Sequence, residues 1–212
     1  AWHPRQLSRP RAQLAPGDAP PTLVRSRQSP EGEGMQVLVF SPDQPDLFAR
    51  ICGYFDEAGF SILDAKIHTT RNGYALDTFQ VVTQDLPEHY RELTHMVEAE
   101  LARALDAAGP LPAPSRARLS RRVKSFPITP RVTLKPDDKG QRWLLGISAN
   151  DQAGLLYKVA RVLASHRLHL QLAKINTLGE RVDDVFLIGG DALQNNREQL
   201  AIETELLQVL AC

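Results

Sequence analysis

Apolar and polar residues alternate through 35–41 and again through 142–149, the period-2 pattern of half-buried strands. A short polar turn follows each, and then the period changes to that of a helix. Leu47, Phe48, Ile51 and Phe55 fall on one helical face, and so do Leu155, Val159 and Leu163. Pro45 suits the first helical turn, where its missing N–H costs nothing. Second strands are predicted over 61–70 and 168–178. Turns at Gly73 and at Gly179-Glu180 lead into third strands over 74–82 and 182–188. A long helix over 88–107 turns Leu93, Val97, Leu101 and Ala104 or Leu105 inward. Its counterpart over 197–210 is predicted to turn Leu200, Leu207 and Leu210 inward.

These two series are copies of one another. Asp43, Leu47 and Ile51 align with Asp151, Leu155 and Val159 at an offset of 108, and Ala65-Lys66-Ile67 aligns with Ala173-Lys174-Ile175. After one deletion, Asp77-Thr78-Phe79 matches Asp184-Val185-Phe186 at an offset of 107. The chain is a tandem duplication. Each copy runs βαββα, one strand short of a ferredoxin-like βαββαβ unit. The missing strand is predicted ahead of each copy, over 22–27 and 131–135. Turn-forming stretches at 30–34 and 136–140 follow them, and Val24 and Val132 again differ by 108. The expected fold is α+β: two tandem, circularly permuted ferredoxin-like domains, each an antiparallel four-stranded sheet covered by two helices.

Composition adds the layout. The 212 residues carry 25 Lys+Arg against 25 Asp+Glu, a net charge of zero that disfavours a general nucleic-acid or membrane-surface binder. Of 15 prolines, six lie in 1–34 and six in 109–136, the latter window holding seven basic residues and no acid. This window is expected to be an extended, solvated or acid-paired connector; contact with phosphate or RNA is the alternative. The division is therefore a linker over 1–21, a first domain over 22–108, a linker over 109–129 and a second domain over 130–212. Two cysteines make neither a disulfide framework nor a zinc set, no apolar run reaches bilayer length, and a cytoplasmic location without membrane contact is expected. A first residue of Ala rather than Met hints at a processed chain or a fragment.

The string Asp-x-x-Gly-Leu-Leu-x-Lys-Val between a first strand and helix, at 151–159, resembles the ACT domain, a ligand-sensing module of amino-acid metabolism. Longer strings sharpen the likeness. Ser41-Pro42-Asp43, Asp64-Ala65, Ile67-His68-Thr69-Thr70 and Leu76-Asp77-Thr78-Phe79 resemble the first of two C-terminal ACT domains in one bacterial family. Thr177-Leu178-Gly179-Glu180-Arg181-Val182 and Asp184-Val185-Phe186 resemble the second. That family is the bifunctional uridylyltransferase/uridylyl-removing enzymes acting on the nitrogen-signalling PII protein. Ala1-Trp2-His3 resembles the segment leaving their hydrolase domain. The resemblance implies a nucleotidyltransferase and a metal-dependent hydrolase upstream, with Mg2+ expected for the parent enzyme and no catalytic centre or cofactor in this chain. It further implies that the ACT pair senses glutamine, biases the addition or removal of UMP on PII, and self-associates through ACT–ACT contacts.

An amino-acid sensor must satisfy a carboxylate and an ammonium. A helix N-terminus attracts the former, and Gly154 lets a ligand approach that backbone with no Cβ in the way. Asn150 and Asp151 at the strand exit are candidates for the ammonium and a side-chain amide. Ala153 and Leu155 complete this segment. The resemblance to ACT pairs implies that the second strand of a neighbouring domain closes the pocket, the candidates being 65–68 and Ala173, Lys174, Ile175 and Asn176. Simple capping by Asp151 and a turn glycine at 154 are the structural alternatives. In the first copy Asp43, Leu47 and Lys66 are the weaker candidates, and Asp46, standing where the second copy has Gly154, is expected to serve the helix dipole and repel a ligand carboxylate.

Other features point away from catalysis. His166 and His169 are expected to face solvent, Asp77 and Asp184 to play a repeated structural role, and no metal spacing, nucleophile motif or P-loop is present. Gly73-Tyr74-Ala75-Leu76-Asp77-Thr78-Phe79 partly imitates an RNA-recognition string, but Asn72 replaces its basic residue and Asp77 opposes a phosphate backbone. The third possibility is an ACT module with another owner, free-standing or attached to a different amino-acid enzyme.

Overall fold

A computed structural model describes residues 22–30, 33–44, 46–70, 72–83, 90–107, 109–114, 128–138, 142–178 and 181–211. Readings that rest on Pro45, on 1–21, on 115–127 or on Gly179-Glu180 lie outside them. The first unit comprises β1 (Leu23–Gln28), β2 (Met35–Pro42), α1 (Leu47–Glu57), β3 (Ser61–Lys66), β4 (Tyr74–Val82) and α2 (Tyr90–Asp106). The second comprises β5 (Arg131–Pro136), β6 (Trp143–Asn150), α3 (Leu155–Ser165), β7 (His169–Lys174), β8 (Thr177–Leu178), β9 (Arg181–Gly189), a 3-10 turn (Asp191–Gln194) and α4 (Asn196–Leu210).

Sheet order is β1-β2-β4-β3 in one unit and β5-β6-β9-β7 in the other, with every pairing antiparallel. This is the ferredoxin-like order with the last strand moved to the front, as the missing-strand argument predicts. Both copies interrupt the same strand in the same place. A β-bulge lies between Ile62 and Asp64, and another between Leu170 and Leu172. The predicted strand over 168–178 breaks into β7 and the short β8, which pairs with β9 as a fifth strand. In the first copy a single bridge, Thr69 to Ala75, takes that position.

Inward strand residues such as Val37, Val39, Phe79, Leu145, Ile147 and Phe186 meet the helices, and the buried residues of the two units form one continuous apolar cluster. The units join through α1 and α3. Helix α1 is buried on more than one side for that reason, with Ile51 and Phe55 in the core together with the small Ala49, Cys52 and Gly53. A Cβ on Gly53 would lie 2.9 Å from the Tyr157 ring. Tyr157 also donates to the Pro112 carbonyl at 2.6 Å, while Arg50 donates to the Gly109 carbonyl at 2.6 Å. The extended start of the connector is thus tied to both helices. In an open helix Gly→Ala gains up to ~1 kcal/mol; here Gly53→Val is expected to cost about 1–3 kcal/mol by overpacking, measured as a lower urea midpoint.

Two orientations depart from expectation. In α2 the inward residues are Val97, Leu101 and Leu105, with Leu93 partly buried. In α4, however, Leu200 and Leu207 are exposed, and Ile202, Leu206 and Leu210 are buried. Helix α4 has apolar residues on two sides, and the i, i+4, i+8 stripe, flanked by Val209, offers the broader surface to α3 and β5. His166 also differs: its Nε2 lies 2.8 Å from Glu205 Oε2, tying the end of α3 to α4 rather than facing solvent.

Candidate functional site: a cleft between the units

The start of α3 opens onto a cleft shared by both units. Asp151, Gln152, Ala153, Gly154 and Leu155 form one wall, and Ile175, Val182 and Asp184 of the same unit form another. Cys52, Asp56, Phe60, Ser61, Ile62 and Leu63 of the first unit close it. The space amounts to about 80 Å³, room for on the order of half a dozen water-sized groups, the scale of one amino acid. The equivalent cleft in the first unit is lined by Asp43, Gln44, Leu47, Ile67, Thr69, Ala75 and Asp77, with His169 and Leu170 arriving from the second unit. It measures only about 20 Å³.

Gly154 is the N-cap residue of α3 and takes φ +73°, the left-handed region where a side chain is strained. A Cβ there would also meet Asp56 Oδ1 at 2.7 Å. The Leu155 N–H turns back to the Gln152 carbonyl at 3.1 Å, and the first turn of α3, with Leu156 and Tyr157, lines the cleft, so the positive end of the helix lies at its wall. Its counterpart Asp46 has an ordinary φ of −106°, and its side chain makes no cap hydrogen bond. Asp46 pairs instead with Arg50 one turn on at 2.6 Å, its carboxylate remaining at the start of α1.

Asp184 and Asp77 form the repeated floor. Asp184 Oδ1 accepts from the Asn176 N–H at 3.1 Å, and Asp77 Oδ1 accepts from the His68 N–H at 3.1 Å. Both are almost wholly buried. Burial pushes each carboxyl up to about 7, against the lowering effect of the backbone N–H. Neighbouring Asp151 and Asp183 add to the rise at Asp184, and Asp43 adds to it at Asp77.

Several sequence candidates stand elsewhere. Asn150 accepts from the Ile128 N–H at 3.1 Å, anchoring the chain ahead of β5 instead of lining the cleft. Ala173 is buried in the core, and Lys174 and Asn176 point to the exterior. Lys66 is exposed, 3.8 Å from Asp64. The neighbour's contribution therefore comes from the start of its second strand, 60–63, and not from 65–68. The reason is geometric: β3 and β7 lie against each other with the start of one near the end of the other. A bulge interrupts β3 at Leu63, itself one of the residues lining the cleft. Sequence reasoning missed Asp56 and Ser61, since no local motif marks a residue brought in by the packing of two units, and it gave Asp184, which belongs to the same unit as Gly154, a structural role alone.

The fold and cleft define a class: a tandem pair of permuted ferredoxin-like units, an architecture consistent with ACT domains, with a small-molecule-sized cleft where they meet. No protein-family model matches the chain. Curated proteins named "Bifunctional uridylyltransferase/uridylyl-removing enzyme" do match. That of Ralstonia nicotianae is 58% identical over 89% of this chain, and that of Cupriavidus metallidurans 56% identical over 92%. That of Burkholderia lata is 51% identical over 100% of the chain. The chain spans less than a quarter of the length of these relatives, 22–24%. Over that segment it is homologous to the bifunctional uridylyltransferase/uridylyl-removing enzyme family, in line with the sequence resemblance.

Proposed function

We propose that this chain is the glutamine-sensing ACT pair of a bifunctional uridylyltransferase/uridylyl-removing enzyme, and that it regulates addition and removal of UMP on the PII protein. The observation that carries the reading is the composite cleft at the N-terminus of α3, in a chain homologous to that family. The helix terminus serves the ligand carboxylate, and the acidic walls serve its ammonium. Catalysis, and any Mg2+ it uses, belongs to other domains of the parent enzyme, and the setting is cytoplasmic. Glutamine shifts the parent's activities because its affinity differs between the two activity states, which a site shared by two units permits. A thermal-shift series tests the binding step. Glutamine at 100 times its Kd stabilises a one-site protein by ~2.7 kcal/mol, and glutamate and asparagine are expected to do much less. No shift with glutamine counts against the reading.

A further inference from the structure

The two clefts hold equivalent places in the repeat but differ in chemistry. The offset of 108 pairs Asp56 with Ala164 and Ser61 with His169. The larger cleft therefore receives a carboxylate from the neighbouring unit's helix, and the smaller receives an imidazole-bearing strand instead. Asp56 lies near the end of α1 and reaches across the unit boundary to the Gly154 backbone, its Oδ1 only 2.7 Å from where a Cβ would sit. Glycine at 154 thus leaves room for that carboxylate at the mouth of the cleft.

Among the described residues, the lining of the larger cleft contains Asp56, Asp151 and Asp184, and no Lys, Arg or His. Such walls attract a cation. A divalent metal would need convergent ligands, and among the described residues no group of three or more His, Cys, Asp or Glu side chains is placed to hold one. Carboxylates spread around the walls suit an organic cation whose charge sits at one end of a longer body. The volumes point the same way, about 80 Å³ against about 20 Å³ for the sister cleft, where the first unit's Asp43 and Asp77 face His169.

We propose that Asp56 binds the ammonium group of the ligand, making the cleft at Gly154 the one of the two that selects an α-amino compound. This rests on reading the cleft as an amino-acid site shared by the two units, and adds which side chain recognises the amino group. The first unit supplies the carboxylate and the second supplies the helix terminus, so a bound ligand bridges them.

The test titrates wild type and Asp56→Asn calorimetrically with glutamine and with 4-carbamoylbutanoate, which is glutamine without its amino group. Circular dichroism and the urea midpoint check the fold, and Asp56→Ser replaces the asparagine variant if that one does not fold. The expected result is a loss of about tenfold or more for glutamine, with the deamino compound binding both proteins alike. Unchanged glutamine affinity in the variant overturns the role of Asp56 and leaves the amino-acid site standing. Equal losses for both ligands also overturn it, since they mark general damage to the cleft. Failure of folded wild type to bind glutamine overturns the amino-acid site itself.

Discussion

A Gly154→Asp chain is expected to fold and to lose at least about 100-fold in glutamine affinity. Three effects act in the same direction. The position requires φ +73°, which aspartate tolerates better than most residues but at a cost of ~1–2 kcal/mol. The new Cβ would sit 2.7 Å from Asp56 Oδ1, so the carboxylate at the cleft mouth must move. The added charge would also lie at the start of α3, competing with a ligand carboxylate for the same first-turn N–H groups. Gly154→Ala separates these effects, because it introduces the Cβ without the charge and is expected to lose less. Calorimetric titration reads both variants. Unchanged affinity in the aspartate variant would remove the helix terminus from the recognition scheme.

The second large effect concerns Asp184 and Asp77. Each has a folded-state value of about 7, raised above the ordinary 3.8 mainly by burial. Between these values the folded chain keeps protons that the unfolded chain has released. Its stability from these groups is therefore fully present below pH ~4, falls as pH rises through the window, and levels off above ~7. At ~1.4 kcal/mol per unit, the loss is on the order of a few kcal/mol for each site. Asp184→Asn keeps an acceptor for the Asn176 N–H and removes the charge. It is expected to flatten the slope between pH 4 and 7 and to be the more stable chain at pH 8. Urea unfolding across that range measures both, and an unaltered slope in the double variant with Asp77→Asn would show that these carboxyls are not the titrating groups.

The architecture was legible because it is written twice. Apolar periodicity locates each strand and helix, and the offset of 108 shows that Val24 and Val132 begin equivalent strands, which supplies the permuted topology. Orientation was less legible where a helix is apolar on two sides: in α4 the pattern admits both Leu200 with Leu207 and Ile202 with Leu206, and only packing against α3 and β5 decides. At the cleft, residues adjacent to Gly154 in sequence were visible. Asp56 and Ser61 lie about 95 residues away and reach the cleft only because the two units pack together, through α1 against α3 and β3 against β7. Asn150 illustrates the converse, since a polar residue at a strand exit looks equally suited to a ligand or to a connector, and Ile128 takes it.

The most direct measurement of the central claim is calorimetric titration of this chain with glutamine, with glutamate and asparagine as controls. The predicted result is saturable glutamine binding at one molecule per chain, reflecting the difference between clefts of about 80 and 20 Å³, with both controls much weaker. A folded chain that does not bind glutamine, or that binds all three alike, would contradict it.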